Sequence, residues 1–364
     1  MPAFTGTLNP NEIFSSIYNM IISQQINASN IKEGFSSLVN RARTDGGLYG
    51  DTKLYYDTDV LKSHAWGGDN EASNLLSLDR PEDPECQAIS LNVFRQIRVT
   101  VDYYLSKRAW KDEGSFAQFN SVTLGWLRET KKVYDQTTYN AFIGTHVSPV
   151  QEDKEITLST ITKPTSTADE ESSARLRAQR IGKGIADLMV AMKDVSRDFN
   201  DYGHLKSYDE DEVVIIFNSA FVNEITYLDL PTIFHKEGIV KKISQEMLPS
   251  RYFGNVLTAS KTVGAGDDIR AMYEQEVTVS GVVHHLFAGD KFPVGAVVAS
   301  GDGYEVDPTI IAKVVTVLPP YMSAFEVGTS FFNARSLTEN HYLTFGHNSL
   351  DHLYAHPFVR IVEK

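Results

Sequence analysis

A single cysteine, Cys86, stands among 364 residues. That excludes an internal disulfide framework and any cysteine-rich zinc site, and it makes a reducing compartment the simplest home. Basic residues are also scarce: 34 Lys and Arg against 47 Asp and Glu leave a formal charge of -13. A broad basic surface that grips phosphates is thereby excluded, and nucleic acid is not held by bulk attraction. No apolar run approaches the ~18 residues that a membrane-spanning helix needs, and Met1 to Asn9 shows no basic segment with an apolar core behind it. The expectation is a soluble, unsecreted protein, in which Asn27-Ala28-Ser29 matches a glycosylation sequon by chance. Internal repeats of about 20 to 50 residues are missing too, so the chain is not a solenoid. What is present, 42% hydrophobic and 11% aromatic residues, suffices for a substantial core in two or three lobes.

The segment from Thr167 to Asn200 reads as one long helix. Its narrow apolar stripe is Ile181, Ile185, Leu188, Met192, Val195 and Phe199. Thr167 and Glu170 make a capping box, and Asp169 and Glu170 suit the positive end of the helix dipole. At 1.5 Å per residue such a helix runs roughly 50 Å, about the full diameter of a compact domain of this length. A flat or elongated body follows, which suits an assembly subunit better than a pocketed enzyme. The stripe by itself fits a core helix of an α/β protein or a short coiled coil equally well.

Elsewhere, Asn9-Pro10-Asn11-Glu12 caps a short amphipathic helix carrying Ile13, Phe14, Ile17 and Ile21. Lys53 to Val60 reads as extended, and a polar stretch from Gly67 to Glu85 precedes a long strand in which Ile97, Val99, Val101, Tyr103 and Leu105 alternate with polar residues. Two extended arms around a polar tip predict a protruding hairpin or an ordinary surface one. Gly114 to Gly144 turns helical, and Ile156 to Pro164 is an extended link into the long helix. Val213-Val214-Ile215-Ile216-Phe217 is an unbroken run typical of a strand buried on both faces. The second half is expected to alternate short helices with strands, including Glu276 to Phe287 and Ile310 to Leu318. The fold class is α+β.

No constellation of residues favours catalysis. His284 and His285 are neighbours in a strand-like stretch, so their side chains point to opposite faces. His352 and His356 would align on a helix, but Pro357 interrupts it and no third ligand is nominated for a metal. Gly264-Ala265-Gly266 lacks the third glycine of a dinucleotide loop, and Asp267 and Asp268 would repel a pyrophosphate. Gly182-Lys183-Gly184 lies inside the long helix, where it cannot cradle a phosphate. There is no Gly-x-Ser-x-Gly elbow, and the acidic clusters Asp79 to Glu85 and Asp209 to Glu212 read as solvated loops. No cofactor, metal or catalytic residue is expected.

Several blocks taken in order resemble the major capsid proteins of tailed bacteriophages with the Hong Kong 97-like shell fold, especially those of small short-tailed phages. The closing block is Phe331-Phe332-Asn333-Ala334-Arg335-Ser336-Leu337 followed by Asn340-His341-Tyr342-Leu343. Upstream lie Val213 to Asn218, then Tyr227-Leu228-Asp229-Leu230 and Phe234, and also Leu286 to Pro293 and Tyr55-Tyr56-Asp57-Thr58-Asp59. The resemblance implies an N-terminal arm and helix over 1–45 and an extended hairpin loop over 46–105. It further implies a peripheral domain over 106–211 with the spine helix at 167–200, an axial domain over 212–328, and a return to the peripheral domain over 329–364.

It implies a non-enzymatic subunit that forms pentamers and hexamers of an icosahedral or elongated head filled with double-stranded DNA. Its partners would be copies of itself, a scaffold protein, a portal and weakly held DNA, with assembly in the host cytoplasm and residence in the virion. The hairpin would bury its apolar face on a neighbouring subunit through Tyr55, Tyr56 and Trp66, with Arg98, Arg108 and Asp57 as rim charges that set register. An acidic wall would let packaged DNA slide. Rival readings are an encapsulin-like nanocompartment shell, a carboxylate-dependent hydrolytic enzyme, and a tail or collar protein.

Overall fold

A computed structural model of the chain describes residues 35–46, 51–63, 78, 80–102, 113–148, 156–158, 167–221 and 244–363. The expected helix at Asn9 to Ile21, most of the polar tip between Gly67 and Glu85, and the Tyr227 to Phe234 block lie outside them. In chain order come α1 (Ser37–Ala42), β1 (Arg43–Asp45), β2 (Thr52–Asp57), β3 (Glu85–Asp102), α2 (Glu113–Thr145), β4 (Ile156–Leu158) and α3 (Thr167–Lys193). Then follow β5 (Val214–Asn218), β6 (Ser244–Leu248), β7 (Gly254–Val256), β8 (Lys261–Thr262), β9 (Ile269–Ala271), β10 (Gln275–Val279) and β11 (Val282–Leu286). The last are β12 (Val297–Val298), β13 (Gly303–Val306), β14 (Ile310–Val315), β15 (Tyr321–Asn333), β16 (Thr338–Asn348) and β17 (Phe358–Glu363).

The central layer is a five-stranded sheet ordered β4-β17-β14-β5-β6. In β5 and the residue before it, Val213 and Ile215 face one helix layer while Val214 and Ile216 face the other, which is why the run has no polar alternation. On the first side lie Ile181, Ile185, Leu188, Met189 and Met192 of α3. Tyr139, Phe142 and Ile143 of α2, with Leu38 and Val39 of α1, cover the second. In β14, a bulge between Ile310 and Ala312 turns Ile311 and Ala312 to the same α3 side, so all six residues of the strand are buried. The apolar stripe of α3 is therefore the core contact of a three-layer sandwich formed within one chain.

α3 begins at the expected Thr167 but ends at Lys193, seven residues before Asn200. Its length is roughly 40 Å rather than 50. The stop is local chemistry. Asp194 turns its carboxylate onto the Val195 amide at 2.9 Å, Ser196 pairs with Lys206 in an antiparallel bridge, and the Tyr208 amide takes up the Met192 carbonyl at 2.9 Å. Val195 thereby leaves the stripe and is exposed, while Phe199 still packs against the core from the turn.

The second sheet, ordered β1-β15-β16-β3-β2, departs from the simple hairpin expected over 46–105. β2 pairs only with the first six residues of β3, from Thr52 opposite Ser90 to Asp57 opposite Glu85. The remainder of β3 pairs with β16, a partner some 240 positions away, from Leu91 opposite Asn348 to Asp102 opposite Thr338. α2 anchors the inner end of this sheet. Its Asp135, almost fully buried, accepts hydrogen bonds from Lys131 Nζ (2.8 Å), Arg43 Nη2 (3.1 Å) and the Tyr321 hydroxyl (2.6 Å). Tyr134 OH lies 2.8 Å from His347 Nε2.

Beyond Ser244 the described residues hold strands and one 3-10 turn at Ser250–Tyr252, not the alternating short helices expected. The reason is short runs closed by turn residues: β10 and β11 are joined through Ser280 and Gly281, both at positive φ (52° and 82°), the backbone of a tight hairpin turn. Val263, Ile269, Leu286, Phe292 and Val298 form the core of this small β lobe.

α2 meets the lobe so closely at Gly144 that a Cβ there would sit 2.1 Å from the Tyr252 carbonyl oxygen, whereas one at Gly125 of the same helix meets nothing within 4 Å. Chemical denaturation of the unassembled chain should show Gly144→Ala losing about 1–3 kcal/mol or more, as overpacking against backbone does. Gly125→Ala should gain up to about 1 kcal/mol from helix propensity. Equal effects of the two would contradict this packing.

Candidate functional site: the exposed sheet and its edges

Of the residues singled out in sequence, Tyr55, Tyr56, Asp57 and Arg98 lie on the second sheet, where β2 is an edge strand among the described residues. Its period-two pattern puts Lys53, Tyr55 and Asp57 toward the body and Thr52, Leu54 and Tyr56 outward. Tyr55 packs partly against Ile89, Leu91, Met322 and Leu353, and burial raises its phenol pKa. Tyr56 is 65% exposed and Leu54 51%, and Val60 and Leu61 follow in the same exposed arm. The two tyrosines thus have opposite roles: Tyr55 seats the strand on its own chain, and Tyr56 is offered outward.

Asp57 is committed within the chain. Its carboxylate lies 2.7 Å from Lys206 Nζ and 2.7 Å from His204 Nδ1, and Lys206 also donates to the Ala355 carbonyl at 3.1 Å. Burial alone would raise the Asp57 carboxyl, but the hydrogen bonds from Lys206 and His204 outweigh it and hold it below its ordinary value. Two residues on, Asp59 accepts the Leu205 amide at 2.9 Å and Arg197 Nη1 at 2.6 Å, which brings its pKa down to about 2. These contacts clasp the arm to the turn after α3. Asp57 is accordingly held within its own chain by Lys206 and His204. His204, Lys206 and Arg197 carry no signal in the sequence, because only the fold brings 57–59 beside 197–206.

Arg98 is exposed on β3 opposite Tyr342 of β16, and it makes no ion pair among the described residues. Trp66 and Arg108 lie outside the described residues. The outer half of the sheet is held by polar pairs on its surface, Thr100 Oγ1 donating to Asn340 Oδ1 at 2.6 Å and Gln96 Nε2 to Thr344 Oγ1 at 3.0 Å. β1 covers only Tyr321 to Ser323 of β15. The rest of β15 has no strand on that side among the described residues, and it carries Phe331 (61% exposed) and Phe332 (44%). Two backbone edges and two sets of outward apolar side chains therefore share one sheet.

The histidines noted in sequence separate. His284 and His285 lie in β11, where His285 Nε2 is 3.0 Å from Glu274. His352 and His356 occupy a loop, not a helix: His356 Nδ1 faces Thr316 Oγ1 at 3.1 Å, while His352 lies beside His146, Asp351 and Asp201. Gly182 to Gly184 is inside α3, and the Gly264 amide is taken by the Asp267 carboxylate at 2.9 Å. No helix among the described residues is long and apolar enough to cross a membrane.

The Phi29-like phage major capsid protein family model matches residues 6–349. No curated protein matches the chain in sequence. Among solved structures, the capsid structure of Staphylococcus phage Andhra is similar with a TM-score of 0.62 at 11% identity, covering 100% of this chain and 88% of that one. A structure of the head fiber and inner core protein gp22 of native bacteriophage P68 is similar with a TM-score of 0.54 at 10% identity, covering 99% of this chain and 88% of that one. At such identity these two likenesses speak for the mixed α+β fold alone. The family match spans nearly the whole chain and rests on sequence: this chain belongs to the Phi29-like phage major capsid protein family, a structural family of the virion.

Proposed function

We propose that the chain tiles as pentamers and hexamers into an icosahedral or elongated head enclosing double-stranded DNA, with the Hong Kong 97-like arrangement. In it, 1–45 is the N-terminal arm, 46–105 the extended loop, 106–211 the peripheral domain, 212–328 the axial domain and 329–364 the return. The observation that carries this reading is the pair of strand edges with no partner strand among the described residues, together with exposed Leu54, Tyr56, Phe331 and Phe332 on the same sheet. An exposed apolar strand edge invites another strand. Within a family that builds capsids, a second copy of the chain is the natural cover.

Magnitudes support the side chains named. Burying a phenylalanine removes roughly 1.5–3 kcal/mol of exposed apolar cost, so Phe331 and Phe332 together supply what many weak polar contacts do not. Arg98, and Arg108 and Trp66 beyond the described residues, remain contacts proposed for the neighbour. A scaffold protein and a portal join at assembly in the host cytoplasm. The net charge of -13 keeps the wall from binding DNA along its length.

Phe331→Ser with Phe332→Ser should lower shell yield at least tenfold in sedimentation and electron microscopy while leaving the circular dichroism of the free subunit unchanged. Normal shells from that variant would remove the β15–β16 tip from the interface. Trp66→Ala is expected to act the same way.

The clasp gives a further outcome. Asp57 and Asp59 have depressed pKa values, so their contribution is complete above the ordinary aspartate range and is lost as the pH falls from there toward about 2. Limited proteolysis near residues 52–63 should accelerate on that acid descent and, at neutral pH, in Asp57→Asn/Asp59→Asn. Cleavage unchanged in the double variant would show that the arm is held by its strand pairing alone.

A further inference from the structure

At the point where α2 ends, His146 meets the loop that leads into β17. His146 Nε2 lies 2.9 Å from His352 Nδ1, His352 Nδ1 lies 3.3 Å from Asp351 Oδ1, and His146 Nε2 lies 3.4 Å from the same oxygen. Three donor atoms thus form a nearly equilateral triangle. Ligands held at 2.0–2.1 Å by a tetrahedral zinc ion stand about 3.3 Å from one another, so the triangle has the dimensions of one face of such a site.

The surrounding groups are arranged as metal ligands require. Asp201 Oδ2 lies 2.6 Å from His352 Nε2, which fixes the ring proton there and leaves Nδ1 its lone pair. Asp201 is itself held by Ser148 Oγ at 2.8 Å. The Tyr354 hydroxyl donates to Asp351 Oδ2 at 2.8 Å and the His352 amide to Oδ1 at 2.9 Å, which hold the carboxylate in place and leave Oδ1 a second lone pair. The His352 side chain is 1% exposed, whereas His146 and Asp351 are 26% and 35% exposed, which opens the fourth position to solvent. Two carboxylates, Asp351 and Asp201, outweigh the one nearby cation, Lys313, whose Nζ donates to the His146 carbonyl at 2.6 Å.

We propose that His146, His352 and Asp351 bind a divalent transition-metal ion of the zinc class. The donor set of two imidazoles and one carboxylate suits that class rather than calcium or magnesium, which take oxygen cages. Such an ion ties the end of α2 to the 349–357 loop and, through Asp201, to the turn after α3. It is a staple between the helix layer and the last strand of the central sheet. The two ligands on the loop are adjacent in sequence and the third is over 200 positions away, so neither His352–His356 spacing nor any motif announced it.

The full-length chain, stripped with a chelator, should take up one Zn2+ per molecule in isothermal titration and melt at a higher temperature with the ion than without. Cobalt in its place should give the intense visible absorption of a four-coordinate site. His146→Gln and Asp351→Asn should abolish both the stoichiometric uptake and the cobalt spectrum. Asp201→Asn should weaken binding by about 10- to 100-fold, as loss of a supporting carboxylate does. His285→Gln, which removes the exposed histidine beside Glu274 and Glu276, should change nothing. Melting of each metal-free variant beside metal-free wild type separates lost binding from lost folding, and Asp351→Asn decides if His146→Gln does not fold. Absence of uptake by the wild type, or uptake that persists equally in Asp351→Asn, would overturn the proposal and leave adventitious surface binding only.

Discussion

The antiparallel ladder between β3 and β16 is the constraint on which the outer part of the molecule depends. It joins a segment near residue 95 to one near 345 by a continuous register interrupted once, at His347 and Asn348. Pairing segments so far apart in the chain carries the loop-closure entropy of everything between them. Once formed, it sets β2 at one edge and β15 near the other. It also leaves alternate residues of β2, and Val327 to Phe332 of β15, exposed. The inner end of the same sheet is held by Asp135, whose three partners come from α2, β1 and β15. Removing one partner of such a buried group is costly because the remaining charges stay desolvated.

The central sandwich and the outer sheet obey opposite rules. In the sandwich, β5 and β14 are buried on both faces and satisfy their edges within the chain. In the outer sheet, apolar side chains stay exposed and two backbone edges have no partner strand among the described residues. A core that is complete within one chain lets the subunit fold before it associates, and Leu54, Tyr56, Phe331 and Phe332 take no part in that core. The clasp of Asp57 and Asp59 on Lys206, His204 and Arg197 belongs between them: it presents the arm at a fixed angle without covering Tyr56 or Leu54.

Local patterns were legible in the sequence, and long-range partners were not. The β-branched run at Val213 to Phe217 announced a strand buried on both sides because no polar residue breaks it, and Thr167 announced the start of α3. The end of α3 was misread since Val195 and Phe199 keep the helical spacing, while the Asp194 carboxylate and the Ser196–Lys206 bridge that stop the helix act through geometry that spacing does not encode. The hairpin over 46–105 was half right: its arms are strands, but β3 gives most of its length to β16. The partners of Asp57 at 204 and 206 meet it only in three dimensions, so no local pattern gives them. The order of blocks such as Phe331 to Leu337 carries the capsid-family resemblance without any of these contacts.

The most direct measurement is an electron-microscopy reconstruction of particles formed when the chain is expressed with its neighbouring genes. The account predicts closed shells in which a neighbouring copy covers the outer edges of β2 and β15 and the side chains of Tyr56, Phe331 and Phe332. Shells in which those edges face solvent, or a chain that stays a dispersed monomer under the same conditions, would contradict it.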